Sequence, residues 1–90
     1  MTILLVRHRV ADYEAWRRVY DSVADMQRQG GVTEEAVYCT EGDPHDVLVM
    51  HQFSRAQEAH SFMENPELRQ AMADAGVDVS SLRVEFYERA

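Results

Sequence analysis

Two stretches of the chain, Thr2–Val10 (TILLVRHRV) and Asp46–Phe53 (DVLVMHQF), alternate as strands do yet carry apolar residues on both sides of the alternation. In the first, Leu4, Val6, His8 and Val10 share one face and Ile3, Leu5, Arg7 and Arg9 the other. In the second, Val47, Val49, His51 and Phe53 oppose Leu48, Met50 and Gln52. Strands of this kind belong at the centre of a sheet with both faces covered. Helices of the same chain can cover one face; something else must cover the other.

The remaining elements supply those helices and two more strands. Asp12 stands at an N-cap position ahead of Tyr13-Glu14-Ala15-Trp16, and nothing breaks the segment until Gly30-Gly31, which predicts one long helix. Its Tyr13, Trp16, Val19, Tyr20, Val23 and Met26 recur at spacings of three and four. Val32 to Thr40 reads as a strand with Ala36 and Tyr38 on one side and Val37 and Cys39 on the other. The turn cluster Glu41-Gly42-Asp43-Pro44 joins it to the strand at Asp46–Phe53 as a hairpin. Ser54 is placed to cap a helix carrying Ala59, Phe62 and Met63, and Asn65-Pro66 ends that helix and starts another. The second helix runs from Glu67 to Ala75 and closes at Gly76; residues 82–88 alternate as a last strand.

The resulting βαββαβ order predicts a single α+β domain over residues 1–90, ferredoxin-like, with a four-stranded antiparallel sheet of order 4-1-3-2. Strands one and three are expected side by side at its centre and running in the same direction. The face away from the helices would expose Ile3, Leu5, Leu48 and Met50, together with Val37. A soluble monomer avoids such a patch, so a homodimer packing sheet on sheet is expected.

Composition narrows the partners. Sixteen acidic residues against nine arginines, with no lysine, give a net charge of −7. An acidic chain without a basic cluster repels phosphate backbones, which argues against nucleic acid and anionic membranes. Small, apolar or cationic ligands stay open, and a small-molecule ligand is expected. Cys39 is the single cysteine, so neither a disulfide framework nor a multi-cysteine zinc site is available. No apolar run approaches the roughly 18 residues a membrane helix needs. The start of the sequence lacks the pattern of a signal peptide, and a cytoplasmic location is expected.

His8 and His51 are the residues best suited to chemistry. On parallel neighbouring strands both imidazoles would face the helices near the strands' carboxyl ends, as close neighbours. One could act as a general base while the other orients a substrate, since imidazole titrates near neutral pH. They could also hold a divalent metal, for which no third protein ligand is evident, or be buried histidines satisfied by backbone or water. Tyr13, Trp16 and Tyr20 lie on successive turns of the first helix, either as ordinary core or as a stacking wall for a flat ligand. Phe62 extends that wall and Asn65 could offer a hydrogen bond to a carbonyl. Arg7 and Arg9 turn away from His8 and are expected to pair with Glu85 or Glu88. Cys39 has no basic neighbour to activate it.

The stretches HRVADYEAWRRVYD, GDPHDVLVMHQF and FMENPELRQAM, the Gly-Gly before the second strand and the closing EFYE together resemble the dimeric α/β-barrel superfamily. The nearest likeness is to small proteins of the antibiotic-biosynthesis-monooxygenase type and related cyclases. The resemblance implies a pocket between sheet and helices, a dimer by sheet packing, and cofactor-independent oxygenase or cyclase chemistry on an aromatic or polyketide-like compound, with no cofactor. The resemblance carries no catalytic motif over to individual positions; on the reading of the residues themselves, His8 and His51 would be catalytic, and Tyr13, Trp16, Tyr20, Phe62 and Asn65 would contact substrate. Two alternatives accompany it: a ligand-binding or scaffold dimer without activity, and a haem or metal protein using His60 or the histidine pair.

Overall fold

The computed structural model describes residues 1–90. β1 (Thr2–Val10) leads into α1 (Tyr13–Ser22) and α2 (Ala24–Gln29), then the hairpin β2 (Val32–Thr40) and β3 (Asp43–Phe53), then α3 (Ala56–Glu64), α4 (Pro66–Asp74) and β4 (Val77–Glu88). The strands form one sheet in the order β2-β3-β1-β4, which is 4-1-3-2 read from its other edge. The fold is α+β and ferredoxin-like.

One expectation about the sheet is corrected. β1 and β3 are antiparallel, with Leu4 opposite His51 and His8 opposite Val47. Connectivity dictates this: the helical crossover brings β2 into the direction of β1, and the tight hairpin then reverses β3. Every pair of neighbours in the sheet is antiparallel.

Local chemistry sets the element ends. Asp12 caps α1, its carboxylate accepting from the Glu14 N–H at 3.0 Å. The long helix expected over this region is two helices, broken at Val23 (φ −105°, ψ 19°). Ser22 lies at the break and donates its hydroxyl to the Val19 carbonyl at 2.6 Å, a local bond that competes with helix continuation. The hairpin is tighter than the four-residue cluster implied: Thr40 pairs with Asp43 across Glu41-Gly42, and Gly42 takes φ +80°. Arg55, not Ser54, occupies the cap position of α3 and makes no side-chain cap bond. β4 begins at Val77 rather than at residue 82. Val77 and Asp78 pair with Val10 and Arg9 ahead of a register shift, which hides the early pairing from a reading of alternation.

The core lies between the sheet and the helices. Leu4, Val6, Val47, Val49 and Phe53 from β1 and β3 meet Trp16, Ala59 and Phe62 from the helices and Ala75 just past the end of α4. Each large side chain so buried contributes about 1.5–3 kcal/mol. Only 15 of 90 residues are buried, because the sheet is covered on one side alone. On the other side Ile3, Leu5, Leu48 and Met50 remain half-buried.

Val37 does not join that open face. It pairs with Val49 and packs on the core, so Ala36 and Tyr38 take the outward positions of β2. Arg7 and Arg9 do point outward, but their partners are on β3. Arg7 makes a two-pronged contact with Asp46 at 3.0 and 2.6 Å, and Arg9 reaches Asp43 at 3.0 Å. The antiparallel register sets Arg9 opposite Asp46 and makes this pairing possible, where Glu85 and Glu88 had been expected. Thr40 also donates to Asp46 at 2.7 Å, and with Arg7 it holds that carboxyl well below the usual range. No helix is long and apolar enough to cross a membrane.

Candidate functional site

A cavity of about 60 Å³ opens between the helices and the helix-facing side of β1 and β3. One water needs roughly 10–15 Å³ measured this way and a benzene ring roughly 150 Å³, so the space is larger than one solvent molecule and smaller than an aromatic ring. Its lining is apolar except for His8, His51, Gln27 and the hydroxyl of Tyr20.

The strand alternation turns His8 and His51 inward, and the helical spacing of α1 lays Trp16 and Tyr20 over them. The antiparallel register, however, separates the two histidines by four residues along the sheet, roughly 13 Å at the usual strand rise. They stand towards opposite ends of the cavity and are not the close neighbours expected. Between them runs a file of rings. His8 lies 5.8 Å from Trp16, Trp16 stacks on Tyr20 at 5.0 Å, and Tyr20 lies 6.1 Å from His51. Phe62 closes the His51 end edge-on at 5.3 Å. Burial and this packing fix the aromatic wall without freezing out a cavity.

Both histidines are buried, at 3% and 4% exposure. Burial disfavours the imidazolium and pushes each pKa down to about 4, partly offset by Asp46 at His8 and by Glu35 at His51. At neutral pH both rings are therefore neutral. Neither nitrogen of His8 has a protein partner, and Nδ1 of His51 has none. A buried polar atom left so costs about 1–3 kcal/mol, which a ligand supplying the partner would recover. His8 also sits at the irregularity between Arg7 and Arg9 where β1 shifts register against β4.

The Tyr20 hydroxyl joins the site to its rim. It donates to Glu35 Oε1 at 2.5 Å and lies 3.1 Å from His51 Nε2. Burial, and then the bond to Glu35, push the Tyr20 phenol far above its ordinary pKa. The Arg17 guanidinium sits over the Tyr20 ring at 5.3 Å.

Trp16, Tyr20, Phe62 and both histidines thus converge on the cavity. Tyr13 does not line it; it stacks behind Trp16 at 5.9 Å. Asn65 lies outside as well, its side-chain oxygen accepting from the Glu67 N–H at 2.9 Å as the cap of α4. His60 is exposed and stacks on Phe86 of β4 at 3.9 Å, away from the cavity. Two polar members escaped the sequence reading. Gln27 falls past the break at Val23, where the phase of one long helix no longer holds. Glu35 shares the inward side of β2 with Val37 and sits opposite His51, a placement only the antiparallel register discloses. No group of three or more His, Cys, Asp or Glu side chains is arranged to hold a metal.

No protein-family model and no curated protein matches the chain. Solved structures do. A candidate antibiotic biosynthesis monooxygenase from Deinococcus radiodurans superposes with a TM-score of 0.77 at 20% identity, covering 100% of this chain and 93% of that one. A similar protein from Nitrosomonas europaea gives 0.75 at 16%, covering 99% and 98%. SnoaB, a cofactor-independent oxygenase from Streptomyces nogalater, gives 0.80 at 6%, covering 99% and 92%. At these identities the likeness is one of fold, shared along the whole chain.

Proposed function

We propose that this chain is a cofactor-independent oxygenase or cyclase that begins by taking a proton from a small, flat, enolisable aromatic compound. The observation that carries the reading is a buried, neutral histidine, His51, with an unpartnered ring nitrogen beside a cavity walled by Trp16, Tyr20 and Phe62. Likeness in fold to a cofactor-independent oxygenase supports it.

His51 is the base. Its neutrality leaves a lone pair free, and an enolate or phenolate formed against the new imidazolium is held by a charge pair in surroundings where water does not compete. From that anion, addition to O₂ or closure onto a carbonyl of the same molecule are both open. The rings of Trp16 and Tyr20 hold the substrate plane. His8 is too far along the sheet to share the same proton and serves instead to hydrogen-bond a polar substituent at the other end. At about 60 Å³ the cavity is smaller than the roughly 150 Å³ that takes one benzene ring, so an aromatic substrate enters only as lining side chains move aside, and a long polycycle is disfavoured. Homodimerisation through the open sheet face belongs to the same proposal: Ile3, Leu5, Leu48 and Met50 form the apolar strip that a second copy would cover.

Oxygen uptake and product formation with a panel of hydroxylated one- and two-ring aromatics test the activity. Replacing His51 by Gln should abolish turnover of any substrate found, while ligand-induced quenching of Trp16 fluorescence persists. Full activity in His51→Gln removes His51 from the mechanism. A second reading is favoured by the burial of His51: with its cationic form disfavoured and its pKa pushed down to about 4, the ring is a weak base, which suits a binding protein. Saturable quenching with no turnover by the native protein across the panel would favour that reading.

A further inference from the structure

We infer that Glu35 and Tyr20 are positioning residues for His51, fixing its ring as the Nε2–H tautomer so that Nδ1 is the nitrogen left bare. The inference rests on the reading of His51 as the base and names the atom that acts and the groups that set it.

The argument is one of counting protons. A tyrosine hydroxyl has one hydrogen to give. Tyr20 spends it on Glu35, a carboxylate that can only accept, at 2.5 Å. The contact of 3.1 Å between the same oxygen and His51 Nε2 is then a bond only if Nε2 carries the hydrogen. A neutral imidazole has one N–H, so Nδ1 is left with its lone pair, and Nδ1 is the His51 nitrogen that is buried without a partner. The donors run in one direction, from His51 to Tyr20 to Glu35, and end on an exposed carboxylate.

The same chain favours the base at work. When Nδ1 takes the substrate proton, the hydrogens on Nε2 and on the Tyr20 oxygen stay in place and the positive ring faces Glu35 through one hydroxyl. No further proton needs to move. Around His51, α1 offers Tyr20, α2 the uncharged Gln27, α3 Phe62 and β1 Leu4; Glu35 of β2 supplies the charge that acts on the ring. Glu35 does so without touching a ligand in the cavity, since it is absent from the lining.

Nitrogen-15 NMR of the imidazole rings in the native protein tests this without a substrate. At neutral pH His51 should show one protonated and one bare nitrogen at well-separated shifts, with the hydrogen on Nε2. Tyr20→Phe, with its fold checked by the amide fingerprint, should bring the two His51 signals towards each other as the tautomers mix, and leave those of His8 in place. Glu35→Gln should lower the His51 titration midpoint and, where a substrate is known, reduce kcat more than KM. A hydrogen on Nδ1 in the native protein, or Tyr20→Phe signals unmoved from the native positions, overturns the inference. These signals report on positioning whether or not anything is turned over, whereas His51→Gln kinetics report on the base role alone.

Discussion

Mild acid should loosen this protein by an amount that can be worked from two side chains. His8 and His51 have folded pKa values of about 4 against an ordinary value of 6.5. A depressed histidine pKa means that the unfolded chain binds the proton first. The stability the two histidines contribute is complete above about pH 6.5, declines as the pH falls below it, and stops changing once the pH is under about 4. At pH 5 an unfolded histidine is largely protonated and these two are largely not, which costs about 2 kcal/mol for each relative to pH 7. Both together remove roughly 4 kcal/mol from a total that in a domain of this size is about 5–15 kcal/mol. The neighbouring Asp46 is already ionised far below this window and adds no slope there. Urea unfolding at pH 7, 6 and 5, at one fixed protein concentration, reads the effect as a falling midpoint. A variant with His8→Leu and His51→Phe keeps the exposed His45 and His60 and should lose most of the pH dependence. A native midpoint that does not move between pH 7 and 5, or a variant that falls just as steeply, refutes the reasoning.

Two further outcomes are expected. Leu48→Glu with Met50→Glu puts charge into the centre of the open sheet face, and should turn a dimer into a folded monomer in native mass spectrometry; a native protein that is already monomeric removes the sheet-packed assembly. Gly31→Ala, at φ +101° with a new Cβ about 2.6 Å from the Glu58 carboxylate, should lower stability by more than about 1 kcal/mol in urea titration, where Gly42→Ala meets no neighbour and pays only for its backbone.

Much of the fold was legible because most of its elements advertise themselves locally. Gly30-Gly31, Asn65-Pro66 and Gly76 mark ends by backbone chemistry, and the double-sided alternation of β1 and β3 puts them at the centre of the sheet. What local patterns do not carry is the sense of pairing between distant strands. Thr2–Val10 presents the same two faces whichever way its neighbour runs. The faces of both central strands were therefore assigned correctly while the neighbours of each residue on those faces were not. The break at Val23 was hidden for a related reason. No proline or glycine announces it, and the hydroxyl of Ser22 acts only once the Val19 carbonyl is within reach.

The direction of β3 decides the chemistry. With β1 and β3 parallel, two histidines would share one end of the cavity and the natural reading is a pair exchanging protons or gripping a metal. Antiparallel pairing sends His51 to the level of Leu4 and His8 to the level of Val47, and the pair dissolves into two separate sites joined by Trp16 and Tyr20. The residue that then stands opposite His51 is Glu35, reached through the Tyr20 hydroxyl. A carboxylate at the rim, a phenol in between and a buried imidazole make an asymmetric arrangement: Asp46 and Glu35 each act on one histidine by charge, but only His51 is tied to its carboxylate through a hydrogen-bonded hydroxyl. The proton abstraction proposed above is therefore assigned to the His51 end, while both nitrogens of His8 are left without a protein partner.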